Sequence, residues 1–313
     1  MEPKIIPNFY INASPHRWKA FCQDKYEKSL LLFITGKCNL NCTNCFSITS
    51  RGNQEMTVEQ AVNIVKANPS FTKIDLMGGE PLLHPQLTEM ITELNRLNRQ
   101  VSLYTNGICL DRLDNRVMPI RACVSFHEID SEDLSRKPLA PIADKLEHFV
   151  RQGNVLKLVF LMDRWNAKRA LQIVDYVDQN LSFVKKLTIG LMRYENDYWN
   201  DCHCGVLSFH DYAQTVQHIL DAYTGRLSID IFLKGVLDFG IDPGFMPNRT
   251  NRFKCVFPDN TYSSCLFTAC DTTHATLPQT LILPKERESC MHTCKNSCLA
   301  DKIRLINITK DDI

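Results

Sequence analysis

The chain is 313 residues long, 44% hydrophobic and 23% charged, an ordinary composition for a folded globular protein. Its 36 Lys and Arg balance 35 Asp and Glu to a formal charge of +1, so no strong field favours nucleic acid or an anionic membrane. No apolar run approaches the roughly 18 residues of a spanning helix, and the opening MEPKIIPNFYINASPHRW has prolines and charges where a signal peptide has a basic start and an apolar stretch. The chain therefore reads as cytoplasmic and without a membrane partner. There its fourteen cysteines speak for metal or redox chemistry over disulfides.

After an N-terminal segment (residues 1–28), short apolar or β-branched runs read as buried strands. They are SLLLFIT (29–35), TKIDLM (72–77), QVSLYT (100–105), RACVSF (121–126), VLKLVFL (155–161) and KLTIGL (186–191). Helical periodicity lies between most of them. Thr57 is the expected N-cap of VEQAVNIVKA, with Gln60 closing a capping box and Val58, Ala61, Val62 and Val65 as the buried face. HPQLTEMITELNRL (84–97), PIADKLEHFVRQ (141–152), NAKRALQIVDYVDQNL (166–181) and SFHDYAQTVQHILDAY (208–223) repeat the pattern, while residues 106–120 connect irregularly.

This alternation implies βαβ units and an α/β fold: a partial (βα)6 TIM-like barrel over residues 29–223. In such folds the chemistry sits on loops at the carboxyl ends of the strands. Residues 224–313 read as a small Cys-rich C-terminal extension. Within it VFPDNTYSSC (256–265) reads as a hairpin, and ESCMHTCKNSC (288–298) places cysteines at i, i+4 and i+8.

KCNLNCTNCF follows the first strand and sets Cys38, Cys42 and Cys45 with gaps of three and two residues. Soft thiolates on a loop select Zn, Cu or Fe–S. A closed zinc site wants a fourth ligand nearby, and inert core thiols suit neither Asn39, Asn41, Thr43 nor Asn44 around them. Three thiolates can instead hold three irons of a four-iron cluster and leave one iron open to a ligand.

CxxxCxxC after the first strand, followed one βα unit later by Gly78, Gly79, Glu80 and Pro81, resembles the signature of the radical S-adenosylmethionine (radical SAM) enzymes. The resemblance covers roughly residues 29–222. It implies a 4Fe–4S cluster on Cys38, Cys42 and Cys45, with SAM chelating the open iron. One electron from an electron donor such as flavodoxin or ferredoxin would then yield a 5′-deoxyadenosyl radical that takes a hydrogen atom from the substrate. Gly78 and Gly79 would let the backbone approach the SAM amino group, and Glu80 would accept from that amine or orient the loop. Family analogy adds Thr105 and Asn106 in YTNG, Ser125 and His127, Asp163 and Asn166, and Arg193 and Glu195 as contacts to ribose or the SAM carboxylate. The position before the third cysteine, aromatic in many members, is Asn44, with Phe46 following it.

Cys255, Cys265, Cys270, Cys290, Cys294 and Cys298 resemble the auxiliary-cluster extensions of the SPASM and twitch subgroups. That resemblance implies a second 4Fe–4S cluster, twitch-like; a structural zinc site is the alternative. A thiol near the radical can return a hydrogen atom. Cys109, Cys123, Cys202 and Cys204 are the candidates, of which Cys123 best fits a small buried hydrophobe and the DCHCG stretch (201–205) is the most open-looking. The expected activity is oxidation, cross-linking or epimerisation of a peptide or small-molecule substrate. With so short a segment before the first strand, a peptide would come on a separate carrier or be recognised by the C-terminal extension. The alternatives are radical modification of RNA, which lacks a basic module to support it, and a non-catalytic Fe–S or zinc regulator, which would need no GGEP loop.

Overall fold

Ser29–Thr35 forms strand β1, buried along almost its whole length on both faces, and so it reads as a continuous apolar run. The computed structural model of the protein describes residues 29–42, 45, 52–133, 135–191, 207, 209–231, 253–258, 261–263 and 275–276. Cys202, Cys204, Arg193, Glu195, Cys265, Cys270, Cys290, Cys294 and Cys298 lie outside them.

Helix α1 (Val58–Ala67) starts where the capping box puts it: Thr57 Oγ1 accepts from Gln60 N at 3.1 Å, and Gln60 Oε1 accepts from Thr57 N at 2.8 Å. Its buried strip differs from the expected one. Ala61, Ile64 and Val65 are buried, while Val58 and Val62 are half-buried. The buried C-cap Asn68, whose amide donates to Ile64 O at 2.7 Å, extends the strip toward that side. Strand β2 (Lys73–Gly78), helix α2 (Leu87–Arg96), β3 (Gln100–Thr105) and β4 (Arg121–Phe126) follow, with only two 3₁₀ turns between β3 and β4. Helix α3 (Ala143–Arg151) leads into β5 (Val155–Met162), and α4 (Ala170–Asn180) into β6 (Lys186–Leu191). Helix α5 (Phe209–Ala222) leads into β7 (Ser228–Ile231), which pairs parallel with β6 and was not expected: its short run lies beyond the last strong helical pattern. The architecture is α/β, a partial TIM-like barrel of parallel strands with helices between them.

The described residues fall into two compact units, one drawn from Glu27–Leu158 and Thr250–Cys290, the other from Val159–Arg249. In the first, β2 pairs parallel with β1 and β3, and β3 with β4. On the other side of β1 lies β8 (Phe253–Val256), also parallel, with Leu31 opposite Cys255. The expected hairpin exists but begins earlier, as β8 pairs antiparallel with β9 (Thr261–Ser263), and β9 with β10 (Ala275–Thr276). One sheet face, with Leu30, Leu32, Ile34, Ile74 and Leu76, is fully buried. The other face is divided. Leu31, Phe33, Met77, Cys255 and Phe257 form an apolar cluster, with the Phe33 and Phe257 rings 4.5 Å apart. In register beyond them lie Asp75 and Ser102, and then Tyr104 opposite Cys123.

In the second unit α4 buries Ala170, Ile173, Val174 and Val177, and α5 buries Tyr212, Val216 and Ile219. Tyr212 donates to Ile189 O of β6 at 3.3 Å. Arg226 closes the end of α4 by donating to the carbonyls of Asp178 and Leu181, the placement a helix C-terminus favours for a cation.

Asp75 gives the first unit a pH dependence. Burial pushes its carboxyl up to about 6, opposed by hydrogen bonds from Ser29 and Ser102 and by Lys73 and Lys157. The folded-state value exceeds the unfolded one, so the folded chain keeps the proton to higher pH. Stability is then full below about pH 4 and is lost as pH rises through about 6, by on the order of 3 kcal/mol. Asp75→Asn is expected to remove that slope and to raise stability at pH 7. Urea denaturation of both proteins from pH 4 to 7 checks it, and parallel profiles would refute it.

Candidate functional site

The stretch carrying the three cysteines has a closed neck. Gly36 N donates to Gln54 O at 3.0 Å, Gly52 N to Gly36 O at 3.2 Å and Met56 N to Ile34 O at 2.8 Å. Lys37 adds an ion pair to Glu55 at 2.9 Å. From the other side the β2 loop grips the same segment, with Gly79 N donating to Thr35 O at 2.8 Å and Glu80 N to Lys37 O at 2.7 Å. Glycine is required for this approach. A Cβ at Gly78, where φ is +139°, would collide with Thr35 O, and one at Gly79 would collide with Lys37 O.

Glu80 bonds the loops around it. It is 1% exposed, and its carboxylate accepts from Thr105 Oγ1 at 2.6 Å, Asn106 N at 2.8 Å and Leu82 N at 3.1 Å. Burial raises its pKa, and these three donors pull the other way. Pro81 opens the 3₁₀ turn Pro81–Leu83, where its missing N–H costs nothing. Thr105 Oγ1 also accepts from Gly107 N at 3.0 Å. Asn106 uses both ends of its amide: Oδ1 accepts from Ile108 N at 3.0 Å, and Nδ2 donates to Asn39 Oδ1 at 2.7 Å. Thr105 and Asn106 thus tie the β1, β2 and β3 loops together.

Ser125 ends β4 half-buried and receives Lys137 Nζ at 2.7 Å. The segment 127–139 is built to present that lysine. His127 N donates to Lys137 O at 2.9 Å, Leu139 N to Glu128 O at 3.0 Å, and Arg136 pairs with Glu128 at 2.9 Å with both side chains buried. Among the described residues no carboxylate pairs with the Lys137 ammonium, although it lies close enough to stabilise the Glu80 and Cys123 anions. His127 is itself buried. Burial, together with Lys137 and Arg136, holds its pKa well below the usual value, so it stays neutral and props the loop. No motif marks Lys137: it stands in a polar, aperiodic stretch before Pro138.

Two expected contacts serve a turn instead. Asp163 and Asn166 are 0% exposed; Asp163 Oδ1 accepts from Trp165 N at 2.9 Å and Asn166 N at 3.1 Å, and Asn166 Nδ2 donates to Leu161 O at 2.9 Å. Cys123 is buried, with its thiol pushed up to about 11 by burial, as a small hydrophobe would be. Cys255 is 0% exposed within the apolar cluster on β8. Cys109, half-buried on the β3 loop, accepts from Asn39 Nδ2 at 3.5 Å, which brings it beside the three-cysteine stretch.

Cys42 is buried, and Cys38 and Cys45 are half-buried. The donor set fits an iron–sulfur cluster: three soft thiols, with no carboxylate or imidazole from Cys38 to Cys45, beside a strip of glycine backbone. Among the described residues no group of three His, Cys, Asp or Glu side chains is placed to hold a single metal ion.

Fold and site together define a partial βα-barrel protein with three thiols on the loop after its first strand. The Radical SAM superfamily model matches residues 32–197, and the chain belongs to that superfamily, whose members carry a 4Fe–4S cluster and SAM. Sequence relatives include a GTP 3′,8-cyclase of Staphylococcus haemolyticus, 26% identical over 52% of this chain and 55% of that protein. A probable GTP 3′,8-cyclase of Methanothermobacter marburgensis is 35% identical over 30% of the chain and 31% of its own length. The chain thus spans from about a third to just over half of these curated relatives. Among solved structures, Streptococcus suis SuiB bound to the precursor peptide SuiA aligns with a TM-score of 0.66 at 13% identity, over 95% of this chain and 71% of that one. Native anSMEcpe with bound AdoMet aligns at 0.59 and 19% identity, over 88% and 82%. Both share the fold. No helix among the described residues is long and apolar enough to cross a membrane.

Proposed function

We propose that the protein cleaves SAM reductively and uses the resulting radical to take a hydrogen atom from a peptide or natural-product substrate, ending in oxidation, cross-linking or epimerisation. The clamp of Gly79 and Glu80 on Thr35 and Lys37 carries this reading, because it fixes the three-cysteine stretch against the glycine strip. When bound, the cluster and SAM supply one-electron cleavage of the S–C5′ bond. The chain's own residues bind and orient. Cys38, Cys42 and Cys45 would hold the cluster, and the backbone at Gly78 and Gly79 would meet the SAM amino group. Ser125 and Lys137 suit its carboxylate, since an ammonium beside a hydroxyl and without a paired anion is a ready anion site. This gives Lys137 the carboxylate role that Arg193 carries in the family analogy.

Residues 224–313 are read as an auxiliary-cluster region with ligands drawn from Cys255, Cys265, Cys270, Cys290, Cys294 and Cys298, and a flavodoxin or ferredoxin as electron donor. The cysteine-dense C-terminus supports a peptide or natural-product substrate. The names of the sequence relatives support a second reading, a purine nucleotide, but their matches cover about half of the chain or less.

Anaerobic protein assayed for iron and for 5′-deoxyadenosine from SAM and dithionite tests the proposal. Product from the wild type and none from the Cys38/Cys42/Cys45 triple alanine variant supports it; none from iron-replete wild type overturns it. About eight irons per chain supports the second cluster, and about four overturns it. GTP-dependent stimulation would select the nucleotide reading. Lys137→Ala is expected to weaken SAM binding about 10- to 100-fold, the loss of one charge-assisted hydrogen bond.

A further inference from the structure

Four contacts link the loops of the site through Asn106. Glu80 Oε2 accepts from Asn106 N at 2.8 Å, and Ile108 N donates to Asn106 Oδ1 at 3.0 Å. With its oxygen taken, Asn106 must offer Nδ2, which donates to Asn39 Oδ1 at 2.7 Å. Asn39 then has only Nδ2 left to offer, and it donates to Cys109 Sγ at 3.5 Å. The bonding pattern therefore fixes both amide orientations. The far side of the β3 loop is held as well: Lys145 of α3 donates to Ile108 O at 2.6 Å and pairs with Asp111 at 3.0 Å. Asn39 is thus seated on a fixed platform. It is also the residue next to Cys38, whose sulfur faces Asn39 Oδ1 at 4.0 Å.

We infer that Asn39 is a positioning residue: held by Asn106 and Cys109, it fixes the backbone beside Cys38 and so sets the place of that thiol as a cluster ligand. Cys38 lies between two fixed points, the neck and clamp at Gly36 and Lys37 and the platform under Asn39. Residues that support metal ligands typically change metal affinity 10- to 100-fold when removed. Cys109 accordingly acts as an acceptor for Asn39. The inference rests on the reading of Cys38, Cys42 and Cys45 as cluster ligands.

The experiment measures loss of iron to a chelator from reconstituted protein, together with the electron paramagnetic resonance spectrum of the reduced cluster. Asn39→Ala is expected to lose iron about tenfold faster than wild type and to show a broadened spectrum. Asn39→Asp keeps an acceptor for Asn106 and is expected to recover most of the retention. Asn39→Ala and Asn106→Ala are expected to be non-additive in combination, since both remove one contact. Thr57→Ala, which removes the cap of α1 at a cost of about 1 kcal/mol, controls for general destabilisation and is expected to leave both readouts unchanged. Wild-type iron retention and spectrum in Asn39→Ala overturn the inference, as does equal acceleration by Thr57→Ala. A wild-type chain that takes up no iron overturns the cluster reading itself, and the anchor with it.

Discussion

Gly79→Ala is expected to abolish SAM-dependent 5′-deoxyadenosine formation and to cut the iron held after reconstitution by at least tenfold. The added Cβ would collide with the carbonyl oxygen of Lys37, stand 2.6 Å from its carbonyl carbon and lie 2.9 Å from Gly36 O. All three are backbone atoms, so no side chain can swing aside. The β2 loop and the cysteine segment must separate, which breaks the Gly79 N to Thr35 O and Glu80 N to Lys37 O bonds. Each buried backbone group left without a partner costs on the order of 1–3 kcal/mol. Gly153→Ala supplies the contrast. Gly153 has φ +83° and nothing within 4 Å of an added Cβ, so its cost is about 1–2 kcal/mol of backbone strain, without a collision. Iron content and product formation in that variant are expected to match wild type. Equal iron in the Gly79 and Gly153 variants would show that the clamp does not hold the metal segment.

Glu80 separates two roles that a glutamate in this position can play. If it met the SAM amine, Glu80→Gln would weaken SAM binding and leave thermal stability alone. The structure gives its carboxylate to Thr105, Asn106 and Leu82 instead. Glu80→Gln is therefore expected to lower stability by about 2 kcal/mol, because the new amide must face one of those donors. SAM binding is expected to weaken with it, as the β3 loop loosens. Glu80→Ala leaves three donors without an acceptor and is expected to be the more severe, on the order of 3–5 kcal/mol. Denaturation of the two variants, alongside SAM binding to each, checks the order. A glutamine variant as stable as wild type would return Glu80 to the amine.

Much of the barrel was legible because its strands are written as short, mostly apolar or β-branched runs; β1, β3, β4 and β6 match their sequence segments residue for residue. The capping box at Thr57 was legible because capping is local chemistry. Strand β7 was not: a four-residue strand carries too little pattern. The pairing of β8 with β1 was not legible either, since more than 200 residues of sequence separate them. At the site, the cysteines and glycines were visible as motifs because spacing alone defines them. Lys137 was not, and Cys109 stood out only as a candidate hydrogen donor and not as the partner of Asn39, since both contacts come from where loops 127–139 and 106–120 return in space. Asp163 and Asn166 were ambiguous for a related reason: asparagine and aspartate in a loop equally serve a ligand or their own backbone, and here they bond the turn.

The closed neck at Gly36, Gly52 and Gln54 has a consequence for how this chain can change over time. The two ends of the excursion are bonded to each other and to β1, so the register of β1 does not depend on the length of chain between them. Doubling the length of a flexible loop costs only about 0.6 kcal/mol of closure entropy. Changes of length after Cys42 and before the neck therefore leave β1 in place, whereas residues 38–42 are bound to the β3 loop through Asn39 and to the core through the buried Leu40.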